Sequence, residues 1–202
     1  MDLRKVFFNS AGRLRSGWRL LVFIVTYIML AFLVTGVVRV SYAIVARVVP
    51  GLAPGNLLED LVFRFILLLS SLGAAYICTR VLEGLPWRSL GLTRHAGWFR
   101  DLLVGSAIGI ASLALATAIA TVGRGLRFSL SAAGTSQVSK TLVVSLVLFI
   151  IAALAEEALF RGYPLQTLTR AQLAWLGVLL TSVPFAAVHL KNPNGGSILA
   201  FI

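Results

Sequence analysis

Cysteine, histidine and acidic residues are all scarce in this 202-residue chain. The single cysteine, Cys78, lies inside an apolar run, which excludes an intrachain disulfide and a cysteine-based metal cluster. Charged residues make up 12% of the chain, about half the share that is usual in a soluble domain. Since 58% of the residues are hydrophobic and the mean hydropathy is +0.93, the sequence predicts an integral membrane protein.

Basic residues outnumber acidic ones by 18 to 7, which gives a formal net charge of +11. In a soluble protein this excess would suggest nucleic acid. Here the basic residues lie mostly between apolar runs, and no basic stripe alternates with aromatic residues, so nucleic acid is not expected as a partner. Membrane topology and anionic headgroups account for the charge, and membrane lipids are the partner that it predicts.

Four apolar stretches are each close to the ~20 residues that cross ~30 Å of hydrocarbon as a helix. They are 19–40, 61–80, 101–122 and 141–160. A fifth stretch, 172–190, is shorter and contains a proline and a histidine. The sequence therefore predicts an all-α, polytopic bundle of transmembrane helices that begins with an uncleaved first helix. The side with more basic residues includes the N-terminus and the 80–100 loop, which predicts that both are cytoplasmic.

The segment "AEEALFRG" places Glu156 and Glu157 inside an apolar run, whereas the other five acids lie in or beside loops. A charge at the bilayer centre costs at least ~2.5–3.5 kcal/mol, so such residues usually have a function. Glu157 and Arg161 are four residues apart with the acid first, which favours an ion pair. A purely structural pair is the alternative, and losing one partner would cost roughly 3–5 kcal/mol if the pair were fully buried.

Glu156 lies on a different helix face from this pair and has no partner nearby in the sequence. If its helix continues past a kink near Pro164 to a tight turn at 170–172, Glu156 and His189 reach similar depths in the membrane. This predicts a water-activating site in which Glu156 is the general base and His189 orients or polarises the water. Two alternatives remain, a protonated Glu156 that bonds a neighbouring helix and a metal site with Glu156 and His189 as ligands, although two ligands are too few for catalytic zinc.

Two motifs, Glu-Glu-x-x-x-Arg at 156–161 and Phe-x-x-x-His at 185–189, resemble those of the CAAX protease and bacteriocin-processing (CPBP) family of intramembrane peptidases. The sequence "SLGL" at 89–92 is similar to bacterial members, which implies a bacterial plasma membrane. The resemblance covers 84–202. It implies a partial protease domain there, preceded by two transmembrane helices in 1–83.

The resemblance implies hydrolysis of peptide bonds in membrane-associated or prenylated-type substrates, with Glu156 as general base. Glu157, Arg161 and His189 complete the implied catalytic group. The residues implied to line the substrate site are Phe160 and Phe185. No cofactor is required by the motifs, and a divalent metal such as zinc, bound by Glu156 and His189, is the alternative to a metal-free water.

The family has a third motif, His-x-x-x-Asn or a variant, on a later span, and it has no counterpart before Ile202. The chain is therefore expected to be truncated at its C-terminus, with at least two further spans in the intact protein. Two other functions compete with a peptidase. One is a proton-coupled transporter with Glu156 and Arg161 as a relay, and the other is a membrane scaffold or immunity-type partner without catalysis.

Overall fold

The computed structural model describes residues 3–49, 55–91, 95–129 and 133–190. This part of the chain is helical apart from its turns and one isolated bridge between Phe8 and Leu14, which confirms the all-α prediction. In chain order the helices are α1 (Leu3–Phe7), α2 (Ser16–Val48), α3 (Asn56–Leu82), α4 (Trp98–Val122), α5 (Thr135–Glu156), α6 (Tyr163–Arg170) and α7 (Ala174–His189). A 3₁₀ turn covers Trp87–Leu90, and a π-helical turn, Glu157–Gly162, joins α5 to α6.

Within the described residues, four helical segments are long and apolar enough to cross a membrane, and they contain the four predicted spans. Helices α2, α3 and α4 supply one each, while α5, the π-helical turn and α6 together supply the fourth. Helix α7 is a shorter apolar helix. Helix α4 is apolar along almost its whole length, as is usual for a helix that lies in lipid.

The chain forms two compact units, one of Met1–Leu92 with Val144–Ile202 and one of Thr93–Val143. The second unit contains α4 and the beginning of α5. All the site residues named from the sequence belong to the first unit. The sequence-based division into 1–83 and 84–202 stays a prediction, because it rests on a family resemblance and not on packing.

The core of the first unit forms where α2, α3 and α6 pack together. Tyr163 is completely buried, and its ring stacks on that of Phe23 with 5.3 Å between the ring centroids. The approach of α2 to α3 depends on small side chains such as Ala74, which is also completely buried. A Cβ on Gly73 would lie 3.2 Å from Leu30 Cδ1, so even an alanine there would require the Leu30 side chain to shift. This packing fixes α6, and α6 fixes the position of the candidate site.

The irregular point in the fourth span lies just before Pro164, near which the sequence predicts a kink. The π-helical turn ends at Gly162, whose φ of −67° and ψ of −108° leave the helical region. Pro164 is among the first residues of α6, where a backbone N–H has no partner within the helix. The proline therefore begins a helix and does not bend one.

Helices α6 and α7 form a hairpin whose turn falls where the sequence predicts it. Gln172 adopts a φ of +60° in this turn, and the N–H of Leu173 donates to the carbonyl oxygen of Leu168 at 2.9 Å. The two helices then pack closely, because a Cβ on Gly177 would meet Leu165 Cδ1 at 3.0 Å. The chain thus returns along the segment that carries the two glutamates.

Candidate functional site

The hairpin brings Glu156 and His189 to the same depth, as their spacing predicts. Glu156 Oε1 lies 3.9 Å from His189 Nε2. This separation is longer than a direct hydrogen bond, but one water molecule beside the pair can bond to both atoms. The side chains of Glu156 and His189 are 42% and 34% exposed, so the gap between them is open to an approaching molecule.

The proton of the imidazole is positioned by the helix that carries it. His189 Nδ1 lies 2.8 Å from the carbonyl oxygen of Phe185. Because a carbonyl oxygen can only accept a hydrogen bond, Nδ1 carries the proton and donates it. In a neutral imidazole the lone pair then lies on Nε2, the atom that faces Glu156. Two acceptors therefore face one another, and a water molecule beside the pair can donate a hydrogen bond to each.

Two aromatic rings stand beside this pair. Phe160 follows Glu156 by four residues, and its ring meets that of Phe185 edge to face with centroids 5.5 Å apart. The Phe185 ring in turn lies 4.5 Å from the imidazole of His189. The two residues predicted to line the site therefore contact each other, and one of them contacts the imidazole.

Glu157 and Arg161 form the ion pair predicted from their spacing, through Oε1 and Nη1. They border a separate groove of about 550 Å³ between α3, the 3₁₀ turn and the segment from α5 to α6. The apolar side chains that line this groove include Leu68, Leu72, Trp87, Leu90, Leu154 and Leu165. The six predicted site residues thus divide into two clusters on different sides of one helical segment.

Neither member of the Glu157–Arg161 pair is buried, because 60% of the Arg161 side chain and 54% of the Glu157 side chain are exposed. The cost expected for a fully buried pair therefore does not apply. We expect Arg161→Gln to lower the free energy of unfolding by less than about 3 kcal/mol, the lower end of the range for a pair that is fully buried in protein. Unfolding in mixed micelles of neutral detergent and dodecyl sulfate measures this value, and a loss above about 3 kcal/mol, typical of a buried pair, would contradict it.

The described part of the chain offers two metal ligands at this site, Glu156 and His189. Among residues 3–49, 55–91, 95–129 and 133–190 there is no group of three or more His, Cys, Asp or Glu residues that could hold a metal ion. Catalytic zinc generally takes three protein ligands. These residues therefore do not complete a zinc site, and the chemistry they support by themselves is that of a carboxylate base beside an imidazole.

Glu83 is the acid whose importance the sequence does not indicate. It directly follows α3, beside a loop as expected, but its side chain is only 2% exposed. Its Oε1 accepts a hydrogen bond from Thr167 Oγ1 at 2.7 Å and lies 3.4 Å from Arg19 Nη1. Its Oε2 lies 2.7 Å from Arg170 Nη2. We call these four residues the Glu83 cluster, and it ties the start of α2 and the end of α3 to α6.

The Glu83 cluster also reaches the 3₁₀ turn, because Arg170 Nη1 donates to the carbonyl oxygen of Ser89 at 2.9 Å. A local pattern could not reveal it, since 84 positions separate Glu83 from Thr167. The predicted topology carries the only signal, because it assigns Arg19, Glu83 and Arg170 to the same end of the spans. The cluster holds the α6–α7 hairpin in place and thereby supports the Glu156–His189 pair.

These features define an integral membrane protein of the polytopic α-helical class. Residues 138–202 match the family model described as type II CAAX prenyl endopeptidase Rce1-like. The match confirms the resemblance to the CPBP family, and it contains all six predicted site residues. The matched segment is about a third of the chain, and for this segment the match supports a CAAX-type intramembrane endopeptidase at the level of the family. No curated protein and no solved structure matches the chain.

Proposed function

We propose that this chain is an intramembrane endopeptidase in which Glu156 is the general base. The observation that carries the proposal is the 3.9 Å separation of Glu156 Oε1 from His189 Nε2, with Nδ1 held by the Phe185 carbonyl. Glu156 removes one proton from a water molecule beside this pair, while His189 Nε2 accepts a hydrogen bond from the hydrogen that stays on the water and so orients it. The water oxygen forms a bond to the peptide carbonyl carbon, and the proton returns from Glu156 to the amine as the C–N bond breaks.

The proposed substrate is a membrane-associated or prenylated-type peptide, because apolar side chains border both clusters. Phe160 and Phe185 stand beside the base, and leucines line most of the groove that contains Glu157 and Arg161. In this proposal the ion pair stabilises the π-helical turn that carries both glutamates. Such π-helical turns contain one more residue than an α-helical turn and recur at functional sites. The extra residue changes the direction of the neighbouring side chains.

The proposed location is a bacterial plasma membrane with the N-terminus in the cytoplasm. The sequence supports this orientation through the excess of basic residues at one end of the spans. In the structure Arg19 and Arg170 meet at this same end, around Glu83. Labelling of single cysteines placed in residues 10–15, compared in sealed vesicles and in detergent, tests the orientation.

Chelation separates the two ways in which a carboxylate and an imidazole can activate water. We expect the reconstituted protein to keep its cleavage of a membrane-associated peptide library after dialysis against a zinc chelator, because Glu156 itself accepts the proton. The measurement is the initial rate before and after dialysis, with a known zinc protease as control. If the activity is lost and added zinc restores it, the mechanism uses a metal-bound water, with Glu156 and His189 as ligands, and not a Glu-activated one.

A further inference from the structure

A basic cleft, distinct from both site clusters, lies where α2 begins and where α3 and α6 end. It has a volume of about 450 Å³ and lies between these helix ends and the segment that precedes α2. Its charged lining residues are Arg13, Arg19, Glu83 and Arg170. Three guanidinium groups share the cleft with one carboxylate, so its lining is net positive and attracts an anion.

The Glu83 carboxylate accepts from only some of the hydrogen-bond donors in the cleft. Both oxygens of Glu83 are engaged by Arg19, Arg170 and Thr167. Arg19 Nε is buried without a hydrogen-bond partner among the described residues, and the same part of the chain holds no ion pair to the Arg13 side chain. The cleft thus has more donors than acceptors, which suits a ligand with several anionic oxygens, such as a phosphate group.

Arg13 is held at the border of the cleft by a folded loop. Asn9 Oδ1 accepts hydrogen bonds from the N–H groups of Ala11 at 3.0 Å and Arg13 at 2.9 Å. Gly12 takes a φ of +68° in the loop, a conformation that favours glycine. An adjoining cleft that shares Asn9 is lined by further basic residues, among them Lys5 and Arg15, and it extends the positive surface.

The basic cleft also adjoins a hollow that shares Asn9 and Ala171 with it. The lining of this hollow combines the apolar side chains of Trp18, Leu21 and Leu173 with the polar ones of Arg15 and Ser16. Tryptophan is typical of the boundary between hydrocarbon and headgroups. The first apolar stretch also begins here, so the charged surface meets the predicted edge of the bilayer. A phosphate site directly beside an apolar surface matches a phospholipid, in which the phosphate lies next to the acyl chains.

We infer that the basic cleft binds the phosphate of an anionic phospholipid headgroup. The guanidinium groups of Arg13, Arg19 and Arg170 contact the phosphate oxygens, and the acyl chains run along Leu21 and Leu173. This site does not depend on the peptidase chemistry. It attaches the end of the bundle that carries the Glu83 cluster to one leaflet of the membrane.

The test uses the full chain in neutral detergent, titrated with short-chain phosphatidylglycerol, short-chain phosphatidylcholine or inorganic phosphate, with native mass spectrometry as the readout. We expect phosphatidylglycerol to bind about tenfold more tightly than phosphatidylcholine, and Arg13→Gln to weaken that binding about fivefold. Arg13 is exposed and outside the Glu83 cluster, so the variant should fold normally. The matched control is Arg39→Gln, which removes an exposed arginine about 30 Å further along α2 and should leave the affinity unchanged.

Three outcomes would overturn the inference. Equal affinities for phosphatidylglycerol and phosphatidylcholine would show that the cleft does not select an anionic headgroup. Equal losses in Arg13→Gln and Arg39→Gln would mean that net charge attracts the lipid and that the cleft has no special part. Binding of inorganic phosphate at the concentrations that suffice for phosphatidylglycerol would make the cleft a site for a free anion, because Leu21 and Leu173 would then contribute nothing.

Discussion

Glu156→Gln is expected to lower peptidase turnover about 10²–10⁴-fold, the usual contribution of a general base. Glutamine keeps nearly the same shape, but its amide cannot accept the proton of the attacking water. Since 42% of the Glu156 side chain is exposed and the His189 imidazole is 3.9 Å away, the substitution should leave the fold intact. The measurement is cleavage of a membrane-associated peptide by the reconstituted protein, together with its unfolding curve.

Glu59→Gln is the matched control, because it makes the same chemical change at an exposed position in the first turn of α3. It should retain wild-type turnover. His189→Ala is expected to lose activity as well, because the water then loses one of the two acceptors that orient it. Wild-type turnover by Glu156→Gln would end the proposed mechanism and would favour a proton relay or a scaffold without catalysis.

Glu83→Gln is expected to lower the free energy of unfolding by about 3 kcal/mol, near the lower end of the range for breaking a buried ion pair. The amide leaves Arg19 and Arg170 side by side without a counter-charge. The lower end applies because Arg170 is 30% exposed and can turn toward water, whereas Arg19 is 13% exposed. Unfolding in mixed micelles measures the change, and peptidase turnover below the transition shows whether the folded fraction stays active.

Asp60→Asn provides the comparison, because Asp60 pairs with Arg64 at 3.0 Å through side chains that are 42% and 33% exposed. An exposed pair of this kind contributes about 0–1 kcal/mol, so the variant should unfold close to the wild type. Equal destabilisation by Asp60→Asn and Glu83→Gln would show that the Glu83 cluster stabilises the fold no more than an exposed ion pair does.

Much of the fold follows from periodicity and length. An apolar run of about 20 residues can satisfy its backbone hydrogen bonds in lipid only as a helix, so the four spans were predictable without any tertiary contact. The ion pair of Glu157 with Arg161 and the common depth of Glu156 and His189 follow equally from helical spacing and the position of one turn. The spans and the ion pair depend on residues that are near in sequence, and the common depth depends on a simple hairpin.

The sequence by itself therefore determined the class of the protein, its spans, the hairpin and the pairing of a carboxylate with an imidazole. Only the tertiary structure decided that Glu157 and Arg161 border a separate groove and are exposed, because burial depends on which helices pack against that face. It also decided that Glu83 is buried between Arg19 and Arg170. These residues belong to α2, the end of α3 and α6. Helical spacing fixes distances only within a helix, whereas packing between helices sets which distant charges meet.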